Sequence, residues 1–376
     1  GDAPEDSSQR PTEHELWSAG FMRIAQVAPL YESVPPKYYG GTERVVSYLT
    51  EELVRQGHDV TLYASGDSVT KARLVAACRR SLRLDKRCID QLAHHVCMLE
   101  LVAKEASRYD LIHYHIDYLH FPLSRRLDVP HLTTLHGRLD IPDLPGLYRQ
   151  FSEMPVVSIS NAQREPLPAA NWVATVYHGL PPDLYRFRDR PGTYLAFLGR
   201  ISPEKRVDRA IAIARRLAMP LKIAAKVDEV DREYFESTIE PLLQGPYTEY
   251  VGEVGEGEKD ELLGNAYALI FPIDWPEPFG LVMIEALACG TPVIAYRNGS
   301  VPEVVDDGVT GFVVTDFNSA LHAVERIASL DRRRCRAVFE ERFVASRMAQ
   351  DYVSVYHQLI SPTLSRPPDR TVHAPS

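Results

Sequence analysis

The chain has 376 residues, 45% of them apolar, and a formal net charge of -9 at neutral pH. That is enough apolar material for two domains of about 150 to 200 residues, each with its own core, and the acidic balance lacks the clustered Lys and Arg that a nucleic-acid partner requires. The five cysteines, Cys78, Cys88, Cys97, Cys289 and Cys335, are odd in number and share no CxxC or zinc-type spacing, which excludes a disulfide framework and fits a reducing cytoplasm.

Residues 1–21 are polar and acidic, carry neither a basic segment nor an apolar run of signal-peptide type, and read as a disordered tail. Later apolar stretches are broken by charges before the roughly 18 residues that a spanning helix needs, so the chain reads as soluble. From Met22 the pattern becomes strand, loop, helix, strand. MRIAQVAPL is a short apolar run, GTERVVSYLTEELVRQG places Val45, Leu49 and Leu53 at helical spacing, Gly57 ends that helix, and DVTLYAS returns to the sheet. The alternation continues through DLIHYHID (110–117), HLTTLHG (131–137), PVVSIS (155–160) and NWVATVYHG (171–179). Strands alternating with helices predict a parallel, doubly wound sheet.

GLPPDLYRFRDRPG (179–192) has neither period and reads as a linker. The pattern then restarts. TYLAFLGR is a strand, and SPEKRVDRAIAIARRLA is a helix with Ser202 as N-cap and Pro203 in its first turn. LKIAAKV, YTEYVGEV, YALIFPI and PVIAY are further strands, with a helix around LVMIEALAC between the last two. The expected organisation is therefore α/β, with Rossmann-like domains at 22–185 and 186–345 facing each other across a central cleft. A helix at 346–360 crosses back to the first domain, and a disordered tail follows at 361–376.

The most informative segment is EPFGLVMIEALACGTP, Glu277 to Pro292, where two carboxylates stand eight positions apart across a loop and the start of a helix. Glu277 could accept hydrogen bonds from sugar hydroxyls and Glu285 from a ribose, while the amides of Phe279, Gly280 and Leu281 at a helix N-terminus suit a diphosphate. A bare pair of glutamates is usually just surface charge; it is the surrounding residues that single this one out.

The segment resembles the E-x7-E donor signature of the family-4 glycosyltransferases of the GT-B fold. Two further segments resemble the same family: FLGR followed by SPEK, containing Arg200 and Lys205, and Gly40-Gly41-Thr42-Glu43 at the start of the first helix. Arg206 stands where many members have glycine, and Gly137-Arg138 follows His136 where they have aspartate. The resemblance runs from Met22 to about Ile360. It implies retaining transfer of a hexose from a nucleotide sugar, with UDP-glucose the leading donor by frequency among relatives, and with no cofactor or metal. Its implied catalytic residues are Arg200, Lys205, Glu277 and His136; its donor-binding residues are Gly41, Val254, Phe279, Gly280, Leu281 and Glu285; Gly40, Ser160, Arg164 and His178 are further cleft candidates. The N-terminal domain becomes the acceptor side and the C-terminal domain the donor side, the acceptor itself being unspecified.

Other readings stay open at this point. A nicotinamide-dependent dehydrogenase would use Asp67 as a ribose ligand, although GxGxxG is missing. A nucleotide-sugar epimerase, a phosphorylase or a non-catalytic nucleotide-sugar sensor would share the architecture. His113, His115 and Asp117 share a strand face at a spacing that could hold metal, yet no further ligand is evident. The basic stretch CRRSLRLDKRC (78–88) could lean on an anionic membrane, but a solvated charged surface is the preferred reading.

Overall fold

The computed structural model describes residues 20–364, so most of both expected tails, residues 1–19 and 365–376, lies outside the described residues. Two parallel sheets carry the fold. The first contains β1 (Arg23–Val27), β2 (Asp59–Ser65), β3 (Arg73–Cys78), β4 (Leu111–Tyr114), β5 (His131–Thr134), β6 (Val156–Ser158) and β7 (Trp172–Thr175), in the order β3-β2-β1-β4-β5-β6-β7. The second contains β8 (Tyr194–Arg200), β9 (Leu221–Lys226), β10 (Thr248–Gly252), β11 (Ala266–Phe271), β12 (Val293–Tyr296) and β13 (Gly311–Val314), in the order β10-β9-β8-β11-β12-β13. The central strands are buried on both faces, which is why they read as continuous apolar runs rather than as alternations. Strands β3 and β13 are not among the strands expected from the sequence; both lie at a sheet edge, as β7 and β10 do, and RLVAAC is only half-buried.

Eight helices of nine or more residues cover the sheets among the described residues: α1 (Gly41–Arg55), α2 (Gln91–Glu105), α3 (Val207–Leu217), α4 (Glu256–Gly264), α5 (Leu281–Cys289), α6 (Phe317–Arg326), α7 (Arg332–Arg342) and α8 (Ala345–Leu364). In each sheet the strand order reverses direction once, between β1 and β4 and between β8 and β11. A reversal of this kind opens a crevice at the carboxyl ends of the strands, because the flanking helices go to opposite faces. The loops after β1 and β4 thus face the loops after β8 and β11.

The chain passes between the sheets twice, and the two crossings lie side by side. Leu180 N donates to Phe343 O at 2.9 Å, and Ala345 N donates to Leu180 O at 2.8 Å. Gly179 is required here, since a Cβ would collide with the backbone of Val344. Helix α8 then returns to the first sheet and runs to Leu364, beyond the expected end at Ile360. Met348, Tyr352, Val355 and Tyr356 pack against Met22, Ile24, Val45 and Leu49.

Polar contacts pin this helix in place. The Tyr356 hydroxyl lies 2.7 Å from His113 Nδ1 and accepts from Gln26 Nε2 at 3.0 Å. His113 Nε2 and the Tyr352 hydroxyl meet Thr134 Oγ1 at 2.7 and 2.8 Å. His115 Nε2 pairs with Gln26 Oε1 at 2.7 Å. His113 of β4 is therefore used to dock α8, with His115 linked to it through Gln26, and the alternation that suggested metal ligands reflects a buried hydrogen-bond network.

Two outcomes follow from this core. Tyr356→Phe keeps the ring packing but removes the hydroxyl shared by His113 Nδ1 and Gln26 Nε2, leaving them only their own 3.4 Å contact, and is expected to lower unfolding free energy by about 1 kcal/mol in urea titrations. Burial holds His113, His115, His120 and His178 well below the usual imidazole range and pushes His136 down to about 3. These groups are neutral when folded and take up protons on unfolding below about pH 6.5, so stability present above that pH is lost as pH falls toward the folded values. Each contributes about 1.4 kcal/mol per pH unit. Denaturation curves between pH 6 and 5 are expected to show uptake of about three or more protons; a flat profile would contradict a neutral histidine core.

Candidate functional site

At the second sheet's reversal, β8 ends at Arg200 and a 3-10 turn over Pro203–Lys205 follows. Ser202 precedes this turn rather than an α-helix as the sequence suggested, and its buried hydroxyl has no hydrogen-bond partner among the described residues. The turn closes through Lys205 N to Ser202 O at 3.1 Å, and α3 starts only after Arg206, whose φ of 55° is left-handed. Glycine would occupy that conformation most easily. Here the guanidinium is held by Asp208 at 2.9 Å and Asp274 at 3.1 Å.

Across the reversal, the loop from Pro272 to Gly280 leads from β11 into α5. Gly280 stands at the helix start with φ 83°, leaving Leu281 as the first helical residue. Glu277 projects from this loop, buried, and Lys205 Nζ lies 2.6 Å from its Oε2. The same ammonium sits 5.0 Å from the centroid of the Trp275 ring. A turn at Asn298–Ser300 braces the loop: Asn298 Nδ2 donates to Ile273 O at 2.8 Å, Ser300 N to Glu277 O at 2.9 Å, and Ser300 Oγ to Phe279 O at 2.6 Å. Gly299 has φ 52° and abuts the Glu277 backbone so closely that no side chain fits.

Glu285 lies on α5 and is nearly buried, with Lys259 Nζ 3.1 Å from its Oε2. The Tyr185 hydroxyl is 2.8 Å from a carboxylate oxygen of both Glu285 and Glu256. Glu256 also meets Lys259 at 3.1 Å and, from the other domain, Arg44 of α1 at 2.6 Å. Burial opposes charge on Glu256, yet Lys259 and Arg44 keep its carboxyl below the usual range. Arg200 is engaged too, 3.0 Å from Glu204 and 3.5 Å from Asp231.

On the first-domain side, His136 follows β5. Its Nε2 lies 2.9 Å from His115 Nδ1, while its own Nδ1 is buried without a hydrogen-bond partner among the described residues. The ring stacks on His178 at 5.5 Å, and His178 meets Phe279 edge-on at 4.7 Å. This ring stack joins the two walls at the base of the cleft. Gly40 allows the turn into α1 to close, because a Cβ there would crowd Pro36, Glu32 and Glu43.

The walls enclose a cavity of about 580 Å³, within the range of small-molecule sites. Arg200, Lys205, Glu277, His136, Gly40, Gly41, Val254, Phe279, Gly280, Leu281, Glu285 and His178 all line it. Ser160 and Arg164 do not. Ser160 Oγ accepts from Gln163 N at 3.1 Å, and Arg164 Nε donates to Ser158 Oγ at 2.8 Å beneath Trp172, so both serve the turn after β6. Asp67 is consumed by Ser65 at 2.6 Å and by the amide and hydroxyl of Ser81 at 2.8 and 3.0 Å, which removes the support for a ribose ligand there. The 78–88 stretch is not simply a solvated face. Leu82 N and Arg83 N donate to Leu30 O and Tyr31 O, and Arg83 pairs with Glu32 at 2.8 Å.

Sequence reasoning missed Arg44, Tyr185, Lys259, Trp275 and the Asn298–Ser300 turn. Only the turn has a local signal, the Asn-Gly pair; the others become recognisable once the fold brings distant segments together.

Comparison with known proteins agrees with this geometry. The profile described as Glycosyltransferase Family 4 matches residues 39–222, and that described as Glycosyl transferases group 1 matches residues 187–340. The chain is 27% identical to a glycogen synthase of Mycobacterium tuberculosis, over 89% of this chain and 95% of the relative. It is 26% identical to an alpha-maltose-1-phosphate synthase of Mycolicibacterium smegmatis, over 78% of this chain and 84% of the relative. In fold it resembles sucrose-phosphate synthase from Thermosynechococcus elongatus, with TM-score 0.73, 19% identity and coverage of 90% and 99% of the two chains. It also resembles Anabaena HepE in complex with UDP and glucose, with TM-score 0.71, 17% identity and coverage of 90% and 100%. The two profiles together cover residues 39–340, every strand of both sheets except β1, and the chain belongs to the group 1, family-4 glycosyltransferases of the GT-B fold, a retaining family that uses nucleotide-sugar donors.

Proposed function

We propose that the chain transfers a hexose, most simply glucose from UDP-glucose, to an acceptor hydroxyl with retention, giving an α-linkage from an α-linked donor. The observation that carries this reading is the convergence of the Lys205–Glu277 pair, the start of α5 and Glu285 in one cavity. In this scheme the amides at Phe279–Leu281, with Lys205 and Arg200, stabilise the diphosphate as its charge develops. Glu285 takes the ribose hydroxyls, and Val254 lies beside the base. Glu277 accepts from sugar hydroxyls and positions the ring, while His136, neutral because burial pushes it down to about 3, offers a hydrogen bond to the sugar rather than a charge. Gly40 and Gly41 let the first domain approach the donor closely.

The bond from the anomeric carbon to the diphosphate oxygen breaks, and the acceptor oxygen bonds to the same face of that carbon. The acceptor proton passes to the departing phosphate, so no nucleophile on the protein is needed. Arg44, bridging α1 to Glu256, ties the nucleotide end of the cleft to the opposing domain and assists closure over the donor. The interaction of Lys205 with Glu277 lets one residue neutralise the leaving group while fixing the carboxylate that orients the sugar.

Calorimetric titration with UDP-, GDP- and ADP-sugars, with and without EDTA, tests the donor. Micromolar binding of a UDP-sugar, insensitive to EDTA and accompanied by slow hydrolysis, is the expected result; binding of none of them removes the reading. Glu285→Ala is expected to weaken UDP binding by about 10- to 100-fold through loss of charge-assisted hydrogen bonds. Lys205→Ala is expected to cut kcat by about 100- to 1000-fold. Glu277→Ala should reduce kcat more than UDP affinity, measured by comparing steady-state rates with UDP titrations; parental behaviour in all three variants contradicts the assignment.

A further inference from the structure

The first-domain wall of the same cavity has a chemistry that the donor does not use. Tyr31, Tyr38 and Tyr39, in the loop after β1, all line the cavity and remain substantially exposed, at 39%, 62% and 42%. Large aromatic side chains left open in a cleft are unusual, because their burial is favourable. The loop is not loose: Arg44 donates to Tyr38 O at 2.8 Å, and Leu82 and Arg83 hydrogen-bond to Leu30 and Tyr31. The rings are held out by a braced backbone.

Two carboxylates share this wall. Glu43 is buried at the start of α1, and Asp117 follows β4 in a left-handed conformation, φ 53°. Strain at a non-glycine residue beside a cavity calls for a role. Both carboxylates act electrostatically on the Tyr31 hydroxyl, so the three groups form one neighbourhood. Cations near these rings already have acid partners: Arg83 is held by Glu32 at 2.8 Å, Arg44 by Glu256 at 2.6 Å, and Lys226, 5.4 Å from the Tyr39 ring centroid, by Asp228 at 2.9 Å. Among the described residues neither Glu43 nor Asp117 has such an ion pair; burial raises the Glu43 carboxyl, while Asp117 stands exposed on the cleft wall.

We propose that the acceptor received on this wall is an uncharged saccharide, with its pyranose rings against the tyrosines and its hydroxyls donated to Glu43 and Asp117. The assignment of the opposite wall to the donor, argued above, is what leaves this wall to the acceptor. Pyranose rings offer an apolar C–H face to an aromatic ring and hydroxyl donors at their edge, matching both components of the wall. A phosphorylated sugar or an anionic lipid headgroup would instead meet two carboxylates and would have to draw Arg83, Arg44 or Lys226 away from the acids that already hold them.

Saturation-transfer NMR with the full chain, using maltose, cellobiose, lactose and trehalose against glucose 6-phosphate and phosphatidylglycerol vesicles, tests the class directly and needs no donor. At least one neutral disaccharide is expected to bind, and it should also serve as acceptor when the donor is consumed. Tyr38→Ala and Tyr31→Ala should raise its KM by about tenfold or more, equivalent to one lost stacking contact, with a smaller change in UDP affinity. Preference for glucose 6-phosphate or the vesicles, absence of binding by all four disaccharides, or an unchanged acceptor KM in both variants overturns the proposal. Disaccharide binding without consumption of any nucleotide sugar would overturn the donor reading and leave the saccharide subsite standing.

Discussion

The backbone pairing of Leu180 with the Phe343–Ala345 segment is the constraint on which the rest of the molecule depends. Each sheet alone would present a crevice at its strand reversal, and neither crevice alone would enclose a ligand. Because the two crossings are hydrogen-bonded to each other at a glycine with no room for a side chain, the sheets meet with their reversals opposed. The ring stack of His136, His178 and Phe279 sits next to that junction. The base of the cleft is therefore set by the hinge itself, and its mouth by loops that radiate from it.

Charge in the cleft is organised in pairs. Lys205 faces Glu277, Lys259 faces Glu285 and Glu256, Arg44 faces Glu256, and Arg200 faces several acids. Pairing lets basic groups suited to a diphosphate remain in a partly buried space, where an isolated charge would be costly. It also means that a bound ligand exchanges partners rather than finding bare charges. The first-domain wall differs, with exposed aromatic faces and two acids, Glu43 and Asp117, that form no ion pair among the described residues. The two walls thus suit different chemistry, phosphate and ribose on one side and ring faces and hydroxyls on the other.

Much of this was legible before the fold was seen, for definite reasons. The central strands are covered on both faces and so appear as apolar runs, and α1 and α3 show one apolar face each. Glu277, Glu285 and the Phe279–Leu281 amides fall within one short segment, so their relation is local. Edge strand β3 was hidden by its half-exposed composition. Ser202 resembled a cap because the 3-10 turn and left-handed Arg206 that displace the helix start have no pattern in the sequence. Ser160 and Arg164 follow a strand whose loop turns away from the cavity, which spacing cannot reveal. His113 and His115 suggested ligation because their hydrogen-bond partners lie far off in sequence, Tyr356 for His113 and Gln26 and His136 for His115.

Helix α8 gives the fold an unusual order of assembly. The first sheet is made early, yet part of the core behind β1 and α1 is contributed by Met348, Tyr352 and Tyr356 near the other end of the chain. During synthesis at about 5–20 residues per second, the emerging first half waits for the whole second half to be made before Gln26 and His113 gain their partner on α8. The second sheet and α3 share an apolar cluster drawn from their own half, whereas the cluster around α5 and α7 also takes Ile159 and Leu180 from the first half. The first half's core is thus completed only once Met348 to Tyr356 are available.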